Sequence, residues 1–166
     1  DLICLSKGLT GGSLPLAVTL ASEAIFAAHW STDRARQFFH SSSYTANPIA
    51  CAAALANLDV WRDEPVMERV EQLCRKQEAG RQMLAQLPGL ANVRRCGTIL
   101  ACEVEDPRGG YLSDVAPRLR AWFLAQGLLL RPLGNTLYAM PPYAISDEDL
   151  AAVHCAFAAA PRVLQR

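Results

Sequence analysis

Three clusters in this chain carry groups that could do chemistry. The first is Ser6-Lys7-Gly8-Leu9-Thr10-Gly11-Gly12, directly after the apolar run Leu2–Leu5. A lysine delivered to the carboxyl end of a buried strand and stripped of water serves as an amine nucleophile that forms a Schiff base with a carbonyl. The glycines let the backbone turn sharply and let a ligand approach closely. Spacing alone equally describes a surface lysine just past a strand. The second cluster is Ser41-Ser42-Ser43-Tyr44-Thr45, just before Asn47-Pro48 and an alanine-rich run. Hydroxyls gathered at a helix start, where backbone N–H groups lack partners, suit a phosphate. A serine-rich loop with ordinary capping is the plainer alternative. The third is Arg131-Pro132-Leu133-Gly134-Asn135-Thr136-Leu137-Tyr138, continuing to Met140-Pro141-Pro142-Tyr143. An arginine whose exit is fixed by proline can present its fork to a carboxylate, or pair with a local acid.

The elements that must position these groups read off the periodicity. Residues 14–21 are apolar and partly β-branched, a strand pairing back near the first, with Pro15 at its start. Residues 22–28 form a short helix capped by Ser22, with Ile25 and Phe26 on its buried side. Residues 48–61 are strongly helical, capped by Asn47 with Pro48 at the first position, and residues 62–65 break the helix. Val66, Val70, Leu73, Cys74, Met83, Leu84 and Leu87 give residues 66–87 one apolar helical face. Strands follow at residues 92–97 and 98–104, joined near Gly97, and then a helix at 115–126. Strands at 128–130 and 136–138 flank a turn, and Ser146 to Asp149 cap a last helix over 150–160. From residue 92 onward strands and helices alternate as a compact α+β unit, while the strand that delivers Lys7 reads as part of an α/β fold class.

Composition narrows the function class. The 166 residues are 51% hydrophobic and 19% charged with zero formal net charge, which describes a globular chain without a polyanion partner. Neither a nucleic-acid nor a membrane partner is expected, since no apolar run of membrane-spanning length is uninterrupted. The six cysteines form no CxxC pair and sit among apolar neighbours, so a reduced, cytoplasmic protein without a metal site is expected. The chain opens inside an apparent core strand with no initiator methionine, and reads as the later part of a longer protein.

The three clusters resemble, at matching distances, the class III pyridoxal-phosphate-dependent aminotransferases. The Arg131-Pro132-Leu-Gly-Asn-Thr string with Met140-Pro141-Pro142-Tyr143 is most similar to the biotin-pathway branch, the adenosylmethionine–8-amino-7-oxononanoate aminotransferases. The resemblance covers nearly the whole chain but only the carboxyl-terminal part of such an enzyme. It implies a fold-type I architecture, with residues 1–62 ending the large cofactor domain and 63–166 forming a small α+β domain. It implies pyridoxal phosphate on Lys7, the catalytic lysine, and a phosphate-binding hydroxyl from Ser43, with Ser42 beside it, reaching a neighbouring subunit of a homodimer. The resemblance places the loop's substrate-side contact at Ser41, and here the sequence departs from the family, which commonly has Gly at the position of Ser41 and His or Pro at that of Ser42. Arg131 would bind the carboxylate of 8-amino-7-oxononanoate, with Tyr138 lining the pocket and Tyr143 packing. The amino donor would be S-adenosylmethionine, recognised by residues before Asp1, as is the pyridine nitrogen by an aspartate there. The same residues also fit another class III omega-aminotransferase or aminomutase, or an inactive truncated chain. A cysteine-based redox or metal protein lacks the ligand spacing.

Overall fold

The computed structural model describes residues 1–164. Its contacts divide the chain into two compact units, Asp1–Pro65 and Val66–Arg166.

In the first unit, β1 (Leu2–Leu5) and β2 (Val18–Ala21) pair antiparallel, with Leu2 opposite Ala21 and Leu5 opposite Val18. The pairing follows the sequence, but the expected burial of β1 does not: Leu2, Ile3, Leu5, Val18 and Leu20 are all exposed. A two-stranded ribbon has two faces, and no described residue of the unit lies over either as a covering layer. Helix α1 (Glu23–His29) forms where expected, yet Phe26 is 51% exposed and stacks on Trp30 at 5.2 Å instead of entering a core. Helix α2 (Pro48–Asp63) starts as the sequence predicts, with Asn47 Oδ1 accepting the Ile49 N–H at 3.0 Å and Pro48 in the first turn. Only Thr10 and Ala50 are buried in residues 1–65.

The second unit has a genuine core. Helix α3 (Val66–Leu84) precedes the antiparallel hairpin of β3 (Leu90–Cys96) and β4 (Ile99–Val104). Helix α4 (Val115–Ala125), β5 (Thr136–Ala139) and α5 (Asp147–Leu164) complete it. The sheet order is β3-β4-β5, all antiparallel. Leu100, Cys102 and Val104 alternate inward on β4, as do Leu137 and Ala139 on β5. They pack with Leu84, Leu119, Phe123, Val153 and Phe157 from the three helices. The Ser146–Asp149 cap is present: Ser146 Oγ accepts the Asp149 N–H at 3.0 Å and donates to its carboxylate at 2.7 Å.

Three sequence expectations shift here. Helix α3 ends at Leu84, and Met83 is exposed while Gln77 and Gly80 are buried. Helix α5 runs on through Pro161, four residues past its expected end. Residues 128–130 are not a strand: Leu128 and Leu130 pack on the core and Leu129 points out, but the Leu130 N–H bonds to Leu128 O at 3.1 Å. The alternation is that of a strand, but its hydrogen bonding is spent in a local three-residue turn.

Candidate cofactor and substrate site

Lys7 opens a turn of 3-10 helix (Lys7–Thr10) directly after β1 and is exposed. The water-stripped setting expected for this amine is not supplied by residues 1–65, none of which covers it. What the sequence does supply is a fixed backbone. The Leu9 N–H donates to Ser6 O at 2.8 Å, and the Gly12 N–H returns to Lys7 O at 2.9 Å. Gly11 and Gly12 hold φ of 60° and 80°, the left-handed region that the turn requires. Thr10 is 4% exposed, and its hydroxyl donates to Leu14 O at 2.6 Å, tying the loop's far side. The turn is held to α2 by Asn57, whose Nδ2 donates to Gly8 O at 2.9 Å and Leu9 O at 3.1 Å. Sequence reasoning missed Asn57; the available signal was a poor helix former inside an alanine-rich helix.

The serine loop precedes α2 in the same unit. The Ser42 N–H donates to Thr45 Oγ1 at 3.0 Å, the Thr45 N–H donates to Ser42 O at 3.1 Å, and the two hydroxyls lie 3.3 Å apart. Ser42 is therefore committed to its own turn. The hydroxyls of Ser41 and Ser43 have no partner among the described residues, and both side chains are exposed. No hydrogen bond joins Lys7 to Ser41, Ser42 or Ser43 among the described residues.

Arg131 and Tyr138 belong to the second unit. Arg131 follows the non-strand run 128–130 and precedes buried Pro132. Leu133 and Thr136 exchange backbone bonds of 2.9 Å in both directions, closing a tight turn over Gly134 and Asn135. Gly134 has φ 58°, and a Cβ there would lie 2.0 Å from Gly110 O. Asn135 is buried, accepts the Gly110 N–H at 2.8 Å through Oδ1, and donates through Nδ2 to Val104 O at 3.0 Å. Arg131 is exposed and pairs with no acid among the described residues, which sets aside the local ion pair that its position also allowed. Tyr138 is half-buried on the sheet face opposite the core, paired in register with Ala101.

Comparison with known proteins fixes the family. Residues 1–160 match the family model of class III aminotransferases. The chain belongs to the class III aminotransferases. Members of that family are pyridoxal-phosphate-dependent transaminases. The chain is 46% identical over 159 residues to an adenosylmethionine-8-amino-7-oxononanoate aminotransferase of Synechococcus elongatus, covering 95% of this chain and 37% of that protein. It is 37% identical over 156 residues to the Helicobacter pylori protein of the same name, covering 90% of this chain and 35% of the relative. The crystal structure of the Methanocaldococcus jannaschii protein of that name superposes with a TM-score of 0.86 at 29% identity, covering 98% of this chain and 38% of that one. The class III chain described here thus spans about a third of the length of its curated relatives. Its architecture is that of part of a pyridoxal-phosphate-dependent transaminase of α/β class.

The residues of this class III chain fit such a cofactor chemically. Lys7 offers a primary amine on a rigid turn, and open space surrounds Gly8 and Gly12, where an added Cβ would meet nothing within 4 Å. Ser43 offers an uncommitted hydroxyl for a phosphate. Among the described residues no group of three His, Cys, Asp or Glu side chains could hold a metal ion. No helix among them is long and apolar enough to cross a membrane.

Proposed function

We propose that this chain carries the lysine, phosphate-loop and carboxylate-binding residues of an aminotransferase acting on 8-amino-7-oxononanoate, with S-adenosylmethionine as amino donor. The observation that carries the reading is Lys7 at the head of a glycine-rich turn pinned at both ends, in a chain matched by the class III model over residues 1–160. Residues 1–62 are the end of the large cofactor domain and residues 63–166 the small α+β domain. The enzyme works as a cytoplasmic homodimer with sites at the interface.

Pyridoxal phosphate, when bound, supplies an electron sink for the pair left behind as a C–H bond of the donor breaks. Lys7 Nζ would hold the cofactor, and its amine would serve as the general acid and base that moves a proton at the donor carbon. Ser43 Oγ would donate to the cofactor's phosphate across the dimer interface, and Ser42 would support it from the turn it shares with Thr45. Arg131 orients the keto acid through its remote carboxylate, a role open to a guanidinium without an ionic partner. Ser41 contacts the substrate side, and Tyr138 lines the pocket. The product is 7,8-diaminononanoate.

The test is spectroscopic. Adding pyridoxal phosphate to the chain should raise a visible band that borohydride bleaches, leaving the pyridoxyl group on the Lys7 peptide. A label spread over other nucleophiles, with none on Lys7, would remove Lys7 from the site.

A further inference from the structure

We propose that Asn57 is the positioning residue for Lys7, an inference that rests on reading Lys7 as the cofactor lysine. The Lys7–Thr10 turn is a single turn of 3-10 helix, too short to satisfy its own last carbonyls. Gly8 O receives only a long 3.3 Å bond from the Gly11 N–H. The two hydrogens on Asn57 Nδ2 serve both orphans, Gly8 O at 2.9 Å and Leu9 O at 3.1 Å, from 49 and 48 residues away in the chain. These carbonyls belong to the two residues that follow Lys7, so the amide fixes the backbone from which the lysine side chain departs.

Buried packing in the unit is sparse. Thr10 and Ala50 are its only buried residues, so the two directed bonds from Asn57 add to the modest packing of the turn against α2. The partner surface is also shaped for the amide: a Cβ on Gly11 would press within 3.3 Å of Asn57 Oδ1. An asparagine here costs helix propensity relative to the alanines around it, and the structure shows what it supplies in return. Asn57 makes no hydrogen bond to Lys7 Nζ; it acts through the peptide backbone.

The sequence provides its own control, because its two lysines are Lys7 and Lys76. Lys76 lies on α3 in the other unit, paired with Asp147. The chain is incubated with pyridoxal phosphate, trapped with borohydride and peptide-mapped, and the Lys7 to Lys76 labelling ratio is read. Asn57→Asp keeps the shape but sets oxygen against two carbonyl oxygens. It should lower the ratio by about tenfold or more, the equivalent of one charge-influenced hydrogen bond, with Lys76 labelling unchanged. In the same variant the Gly11 and Gly12 amides should exchange faster while the amides of Ala53 and Ala54 in α2 hold. Asn57→Ser retains a donor with shorter reach and should give an intermediate ratio. If Asn57→Asp also loosens α2, the serine variant decides: a lowered ratio supports the proposal and a parental ratio overturns it. A parent that labels Lys7 no better than Lys76 would sink the cofactor-lysine reading itself. A selective parent whose variants stay equally selective would overturn only the role of Asn57.

Discussion

Replacing Asn135 with leucine should destabilise the second unit by about 2–4 kcal/mol. The figure comes from its two side-chain bonds, Gly110 N–H to Oδ1 at 2.8 Å and Nδ2 to Val104 O at 3.0 Å. Asn135 is 7% exposed, so leucine removes both partners and leaves Val104 O, on a residue buried in the core, without water to replace the lost donor; Gly110 is exposed and its N–H can turn to solvent. The buried Val104 carbonyl left unsatisfied costs about 1–3 kcal/mol, and the lost bond to the Gly110 N–H about 1 kcal/mol more. A unit of roughly 100 residues has a total stability of about 5–15 kcal/mol and a urea m-value of about 1–2 kcal/mol/M, so the midpoint should fall by about 2 M. Trp122, half-buried beside Phe123 at 5.3 Å, reports the transition by fluorescence once Trp30 and Trp61 are replaced by phenylalanine. Asn135→Asp gives a sharper check. Its carboxylate still accepts from Gly110 but opposes Val104 O, so its folded pKa rises and the unit should regain stability as pH falls through that value. A leucine variant melting within about 0.3 M of the parent would show that these two bonds do not hold the turn carrying Arg131.

Arg131→Ala should raise KM for the keto acid about 10- to 100-fold in the assembled enzyme, the loss of a charge-assisted pair worth about 1.5–3 kcal/mol; unchanged kinetics would remove Arg131 from the site. His154 is held below its ordinary pKa by burial, with its Nε2 2.9 Å from Gln77 Oε1. The folded state therefore binds this proton more weakly than the unfolded chain, so stability should be full above pH 6.5 and decline below it until the lowered folded value is passed. Urea midpoints at pH 7.5 and 5.5 test this, and His154→Asn should flatten the difference. Glu78 does not confuse that window. Hydrogen bonds from Arg81 and then Arg95 hold it down to about 2, so its contribution is present above 4.5 and lost only as pH falls through about 2. Cys102 is fully buried and pushed up to about 12 by that burial, so a thiol reagent at pH 8 should modify exposed Cys4, Cys96 and Cys155 and reach Cys102 only after denaturation. Rapid native labelling of Cys102 would contradict the core described here.

The sequence made the local structure legible and left the long-range polar contacts hidden. Periodicity located α2, α3, α4 and the β3–β4 hairpin, and capping chemistry placed Asn47, Pro48 and Ser146 correctly. Lys7 and Arg131 were singled out by residue type at an element end, which is a local signal. Asn57 acts on carbonyls 48 and 49 residues earlier, and nothing in its neighbours in sequence encodes that distance. Gln77 lies outside the apolar set that marks the α3 face in the sequence, yet it is wholly buried, donating to Thr98 O at 2.8 Å while bound to His154. Gly80 beside it is explained only by the His154 ring, which an added Cβ would meet at 2.5 Å. Exposure of β1 and β2 was likewise not readable, because an apolar run states what a strand would bury and not what lies over it.

The irregularity in β3 has a consequence for how the chain behaves when crowded with its own copies. A free strand edge with regularly spaced N–H and C=O groups is a template for another chain. The register of β3 slips between Ala91 and Arg94, and Asn92 stands at φ 46°, so the ladder on that edge is broken in its middle. Arg94 and Arg95 follow the break directly, held by Glu103 and Glu78. At the opposite edge, β5 is only four residues long. An incoming strand would therefore find a kinked, doubly charged edge on one side and too short a run of backbone on the other, and the sheet ends at three strands instead of propagating.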